Sequence, residues 1–195
     1  MEKPLIKTLH RLLNCAFQAV RQARMNYSPH CDIWKLAFSW QKRQATLFQS
    51  LVKQQYQFSA RDQYRFKEET LSLYQSEDQV VLKTIALYLD QNLKKRKQLS
   101  RQCYHVKRHG GLKGSVRDTF AALKDYRFVF KTDIFHYYER IDHAVLEKIL
   151  RDMQVDQSLI RLIVDSISVS STWGGLYYDH PRGIPKGQLF PVKLF

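Results

Sequence analysis

The chain has 195 residues, 44% hydrophobic and 13% aromatic, which excludes a disordered protein and suffices for one domain, with or without a helical arm. Lysine and arginine number 32 against 18 acidic residues, a net charge of +14, so polyanions are the natural partners of its surface. Cys15, Cys31 and Cys103 have no repeated spacing, which excludes a disulfide framework. No apolar run approaches the roughly 18 residues of a membrane span, and the N-terminus lacks the basic-then-apolar form of a signal peptide; the expected location is cytoplasmic.

Residues 5–25 predict an amphipathic helix with Leu5, Leu12, Leu13, Phe17 and Val20 on one stripe, ended by Ser28-Pro29. A second helical pattern runs from about Ile33 to Gln54 through Leu36, Phe38, Trp40, Leu47 and Leu51. After Tyr64-Arg65-Phe66, the run Thr70 to Tyr74 alternates polar and apolar residues as a half-buried strand does. A helix is expected from Glu77 to about Lys97. The stretch 83–117 is rich in basic residues, with Asp90 its single acid, and Gly110, Gly111 and Gly114 give it backbone freedom. Val116 to Leu123 reads as helix. Tyr126 to Ile134 is a β-prone run that delivers Asp133 at its end. Asp142 is placed to cap a helix whose buried face is Val145, Leu146, Ile149, Leu150 and Met153. A further helix is expected over Gln157–Ser168, then a Gly174-Gly175 turn into a short strand at Leu176–Tyr178.

The segment Phe128 to Leu146 (FVFKTDIFHYYERIDHAVL) sets an apolar run before Asp133, two aromatics within five residues, and Ile141-Asp142-His143 at a helix start. This resembles the first catalytic motif of reverse transcriptases, particularly the retron and group II intron-like bacterial types. Gly183-Ile184-Pro185-Lys186-Gly187 resembles the Gly-Ile-Pro-x-Gly motif that follows in those enzymes, where many have Gln in place of Lys186. CYHVKRHGGLKGSV, Cys103 to Val116, is similar to a signature between fingers and palm in one branch, as are Tyr56-Gln57-Phe58 and Asp78 to Lys83. The resemblance covers about Tyr56 to Gly187, with order and spacing in agreement. It implies an α+β fold: a helical N-terminal arm over 1–55, then fingers and an incomplete right-hand palm over 56–195.

The activity implied is RNA-directed DNA synthesis by two-metal nucleotidyl transfer, with RNA template, DNA primer and deoxynucleotides as partners and Mg2+ as cofactor. Two divalent ions stabilise the attacking and leaving oxygens of the displacement, and magnesium prefers carboxylate oxygens. The resemblance gives the metal-ligand role to Asp133. Tyr138 would pack under the incoming sugar and clash with a ribose 2′-hydroxyl. The backbone around Phe135 and His136 would lie near the triphosphate, and Lys186 could reach a phosphate as a point charge. Gly183, Pro185 and Gly187 would let the backbone approach the nascent base pair. Lys107, Arg108, Gly110 and Gly111 would hold the template backbone, and Arg65 and Lys67 would lie near the triphosphate. Cys103, His105 and His109 lack the paired spacing of a zinc site, so zinc is not expected.

The similar enzymes continue into a Tyr-x-Asp-Asp hairpin that completes the metal site, whereas Gly187 here is followed by Gln188 to Phe195. The expectation is therefore a truncated family member, inactive by itself, with an unpaired palm strand edge. Two alternatives belong to other classes. One is a non-catalytic RNA- or DNA-binding remnant using the basic fingers; the other is an interaction protein whose helical arm docks a partner.

Overall fold

The computed structural model describes residues 3–66, 69–96, 100, 102–104 and 109–185. Lys67, His105, Lys107, Arg108, Lys186 and Gly187 lie outside the described residues. The chain separates into two units, one built from residues up to Tyr88 and from His136 onward, the other from Leu89–Phe135.

The first unit begins with α1 (Lys3–Ala23), as its stripe dictates: Leu9, Leu12, Leu13, Ala16, Phe17 and Val20 are all buried, at helical spacing. The expected second helix is two helices, α2 (Asp32–Phe38) and α3 (Trp40–Val52). Ser39 interrupts it at φ −99° and ψ 8°, its hydroxyl bonded back to the Lys35 carbonyl at 3.0 Å, a local bond that competes with helix continuation. Phe17 stacks on Trp40 with ring centroids 3.9 Å apart, and Trp40 Nε1 donates to Asn14 at 3.2 Å. Side chains of this size stabilise by about 1.5–3 kcal/mol each when fully buried.

β1 (Arg61–Phe66) and β2 (Glu69–Leu73) form an antiparallel pair running from Asp62 opposite Leu73 to Phe66 opposite Glu69. α4 (Ser76–Arg96) follows, and the division between the units falls within it. Its start is held by tertiary contacts: Asp32 accepts from the Ser76 amide at 2.5 Å and from its hydroxyl at 2.7 Å, while buried Arg24 donates to Asp32, Ser76 and the Tyr74 carbonyl. Burial opposes the charge on Asp32, but the Ser76 bonds, with Cys31 and Arg24, outweigh it and hold the carboxyl below its usual range.

In the second unit α5 (Gly111–Ala122) starts five residues earlier than its apolar pattern suggests, because Gly110 at φ +94° turns the chain into it. Tyr104 donates to Asp118 at 2.8 Å, and Gly114 leaves room for the Tyr104 ring. The run 126–134 is not a strand, contrary to the sequence pattern. Phe128 is 90% and Phe130 89% exposed, with Val129 and Ile134 also open. A β-prone run needs a neighbouring backbone to become a strand, and no described segment pairs with it.

Back in the first unit, α6 (Tyr137–Arg140) is a single turn, and α7 (His143–Asp152) is capped as expected: Asp142 Oδ1 accepts from the Ala144 amide at 2.7 Å and the Val145 amide at 3.4 Å. Of its expected face, Leu146 and Leu150 are buried while Val145 and Ile149 are exposed. α8 (Gln157–Ser168) matches its predicted bounds and buries Leu159, Ile160, Leu162, Ile163 and Ile167. β3 (Ser171–Trp173) and β4 (Leu176–Tyr178) make a hairpin about Gly174-Gly175. The sheet order is β2-β1-β3-β4, with β3 parallel to β1 through Arg61 opposite Ser171 and Asp62 opposite Thr172. The architecture is therefore mixed helix and sheet. Among the described residues no helix is long and apolar enough to cross a membrane.

Candidate functional site

The two sequence motifs around Tyr138 and Gly183 meet in the first unit. His136, at φ 52°, turns the chain into α6, where the rings of Tyr137 and Tyr138 meet edge to face at 5.3 Å. Tyr138 is half-buried. Ile141 returns to an extended backbone and α7 begins two residues later. After β4 the chain comes back across this turn. The Gly183 amide donates to the Ile141 carbonyl at 2.7 Å, and the Ile184 amide donates to the Tyr138 carbonyl at 2.7 Å. His143 Nε2 lies 2.8 Å from the Gly183 carbonyl.

Gly183 is required there for two independent reasons. Its φ is +88°, which L side chains rarely adopt, and a Cβ would stand 2.8 Å from the Glu139 carbonyl oxygen. Ile184 is buried beside it and Pro185 is half-buried. The returning segment is fixed at two further points: Ser170 donates to Asp179 at 2.6 Å, and Ser171 Oγ lies 2.7 Å from His180 Nε2. Burial lowers the pKa of His180, the Arg61 charge adds to that, and Asp179 opposes it.

Arg61 has the least expected environment. It is only 1% exposed, and its Nη2 donates to the Val169 carbonyl at 2.7 Å, at the end of α8, where a cation meets the negative end of the helix dipole. Its guanidinium lies 5.7 Å from the Tyr74 ring centroid, and Tyr74 donates its hydroxyl to the Ser166 carbonyl at 2.9 Å. A buried arginine carries no sequence signal, since an exposed one is spelled the same way. Asp78 is similar. It is buried, accepts from the Tyr56 hydroxyl at 2.5 Å and the Ser59 amide at 3.2 Å, and its pKa is pushed up to about 6 by burial. Here a signal did exist, because Tyr56 and Asp78 both stand in segments that carry the family resemblance. Their pairing required the structure.

Asp133 belongs to the second unit. It is exposed, and its Oδ1 accepts from the following amide, that of Ile134, at 2.9 Å. Phe135 beside it is also exposed. Among the described residues there is no group of three or more His, Cys, Asp or Glu side chains that could hold a metal. The residues described therefore do not fit a pair of magnesium ions, which keep most of their waters and need several carboxylate oxygens. Gly110 and Gly111 take positive φ at the start of α5, and the Gly114 amide bonds back to the Gly110 carbonyl at 3.0 Å. Arg65 lies on β1.

No protein-family model matches the sequence. No curated protein matches it either. Solved structures do share its fold. The chain is similar to a chain of a structure described as a partial Cas6-RT-Cas1--Cas2 complex, with TM-score 0.52 and 19% identity, over 90% of this chain and 31% of that one. It is similar in the same degree, TM-score 0.52 and 19% identity, to a chain of a Cas6-RT-Cas1--Cas2 complex, covering 90% of this chain and 20% of the other. It thus spans about a third and a fifth of the chains it matches.

Proposed function

We propose that this chain is the fingers and first part of the palm of a reverse transcriptase, an RNA-directed DNA polymerase of the retron or group II intron-like type, with a helical arm over 1–55 and the polymerase domain over 56–195. The observation that carries the reading is the docking of Gly183–Pro185 on the Tyr138–His143 turn by two backbone hydrogen bonds of 2.7 Å. Two motifs that point to a polymerase when read separately are, in the fold, one bonded unit. The fold likeness to chains of RT-named complexes points the same way.

In this reading Tyr138 packs under the deoxyribose and excludes a ribose by steric clash, a discrimination by repulsion. The backbone at Phe135 and His136 faces the triphosphate, and Lys186 contributes a charge to it. Gly183, Pro185 and Gly187 lie beside the nascent base pair, and Lys107, Arg108, Gly110 and Gly111 carry the template backbone. Asp133 is one metal ligand. When bound, magnesium supplies charge stabilisation at the reacting oxygens, but it needs carboxylates that the described residues do not provide. DNA synthesis by these 195 residues alone is therefore not expected.

The test is a binding titration of a purified chain with an RNA–DNA template-primer at several salt concentrations, with primer extension in magnesium alongside. Binding should weaken steeply with salt, by about 0.7–0.9 log units per log unit of salt for each phosphate contacted. Asp133→Ala should leave that binding within about twofold, and should abolish synthesis in any longer form of the protein that extends a primer. Salt-insensitive binding, or synthesis that survives Asp133→Ala, would refute the assignment. The alternative, a non-catalytic nucleic-acid-binding protein using the basic fingers, is favoured by the lack of a metal-ligating group among the described residues. It predicts the same binding with no synthesis in any longer form.

A further inference from the structure

His143 stands where an ordinary helix-start residue would suffice. The start of α7 is already capped by Asp142, yet both nitrogens of the His143 ring are committed to residues outside that helix. Nε2 meets the Gly183 carbonyl at 2.8 Å and Nδ1 meets Ser168 Oγ, the last residue of α8, at 3.2 Å. A carbonyl only accepts, so Nε2 carries the proton. In the neutral ring Nδ1 then accepts from the Ser168 hydroxyl. The tautomer is fixed by its two partners, and the ring is held at both ends.

The loop has reason to need this anchor. Gly183 has no side chain and has no room for one, with the Glu139 carbonyl oxygen 2.8 Å from where a Cβ would lie. It cannot fix itself by packing, so a neighbour must hold it. One bond further on, the Ile184 amide reaches the Tyr138 carbonyl. A continuous line thus runs from α8 through Ser168, His143, Gly183 and Ile184 to the backbone of Tyr138.

We infer that His143 is a positioning residue: its imidazole clamps the Gly183–Pro185 loop between α7 and α8, and through that loop sets the backbone of Tyr138. The clamp stands on geometry alone. Its consequence, control of the choice between deoxyribose and ribose, rests on the polymerase reading above.

Two substitutions separate the ring nitrogens. His143→Gln carries an amide to about where Nε2 sits, and His143→Asn to about where Nδ1 sits. Backbone hydrogen–deuterium exchange is read on the purified full chain without nucleic acid. In His143→Gln the Gly183 and Ile184 amides should keep wild-type protection. In His143→Asn they should exchange about tenfold faster, roughly the loss of one part-buried hydrogen bond, with the α8 amides unchanged. Equal protection in the two variants, whether high or low, overturns the clamp. Should the imidazole substitutions unfold the chain, Ser168→Ala replaces them: faster exchange confined to Gly183 and Ile184 supports the clamp, and unchanged exchange overturns it. The sugar consequence is read by comparing dGTP and GTP affinity on a template-primer complex, where His143→Asn should narrow the preference severalfold and His143→Gln should not. A chain that binds neither nucleotide counts against the polymerase reading, while the exchange result still decides the clamp.

Discussion

Gly183→Ala is the sharpest perturbation the fold offers. Alanine must adopt φ +88°, a left-handed conformation that costs an L residue roughly 1–2 kcal/mol, and its Cβ would lie 2.8 Å from the Glu139 backbone oxygen. Backbone cannot swing aside as a side-chain tip can, so the loop must lift. Lifting it releases the Gly183–Ile141 and Ile184–Tyr138 hydrogen bonds, each with a net worth of about 0.5–1.5 kcal/mol. The sum is about 2–5 kcal/mol against docking of the loop. Gly175→Ala is the control: its φ is +83°, but nothing lies within 4 Å of the added Cβ, so it meets only the conformational cost. The assay is native-state exchange at the Ile184 amide with urea unfolding of both variants. Gly183→Ala should raise the exchange rate by at least tenfold, since about 1.4 kcal/mol is a factor of ten, and should destabilise more than Gly175→Ala. Equal effects from the two substitutions would refute the close-approach argument and leave only the φ cost.

Asp78→Ala removes the acceptor shared by the Tyr56 hydroxyl and the Ser59 amide; two partly buried donors left unpaired should lower unfolding stability by about 2–4 kcal/mol in denaturant titration. The pKa of Asp78, raised from 3.8 to about 6, means that the fold favours the protonated acid. Its contribution is therefore fully present below about pH 3.8 and is lost as pH rises through about 6, so wild-type stability measured against Asp78→Asn should fall across that window. His180 has the opposite sign in pH. Its folded pKa lies below the ordinary 6.5, so stability measured against His180→Gln should hold above pH 6.5 and decline as pH falls through the lowered value. Asp142→Ala should cost about 1 kcal/mol by loss of the cap to the Ala144 and Val145 amides; a change below a few tenths would deny the cap its energetic role.

Local order was written in the sequence wherever the determinant was itself local. The stripe Leu12, Leu13, Phe17 and Val20 gave α1, the Gln157–Ser168 pattern gave α8 to the residue, Asp142 gave the start of α7, and Gly174-Gly175 gave the turn into β4. Periodicity and capping act within a few residues, so they can be read without knowing what lies opposite. The residues that carry the family resemblance were legible in the same way. Ser39 was missed because a hydroxyl's back-bond to Lys35 breaks a helix without disturbing its apolar spacing.

What only the tertiary structure decided is every feature that needs two distant segments at once. β1 lies beside β3 through Arg61 and Ser171, more than a hundred residues apart in the chain, and no alternation of side chains names a strand's neighbour. The run 126–134 has the composition of a strand and is none, since strand structure is a property of a pair. The sequence by itself offered only a resemblance of the segments around Tyr138 and Gly183 to motifs of one family. The fold decided that Gly183 sits against Glu139, that Ile184 holds the Tyr138 carbonyl, and that His143 bridges the loop to Ser168. Those contacts arise because a backbone free of a side chain can be approached to hydrogen-bonding distance, and only the folded path of the chain says which residue approaches it.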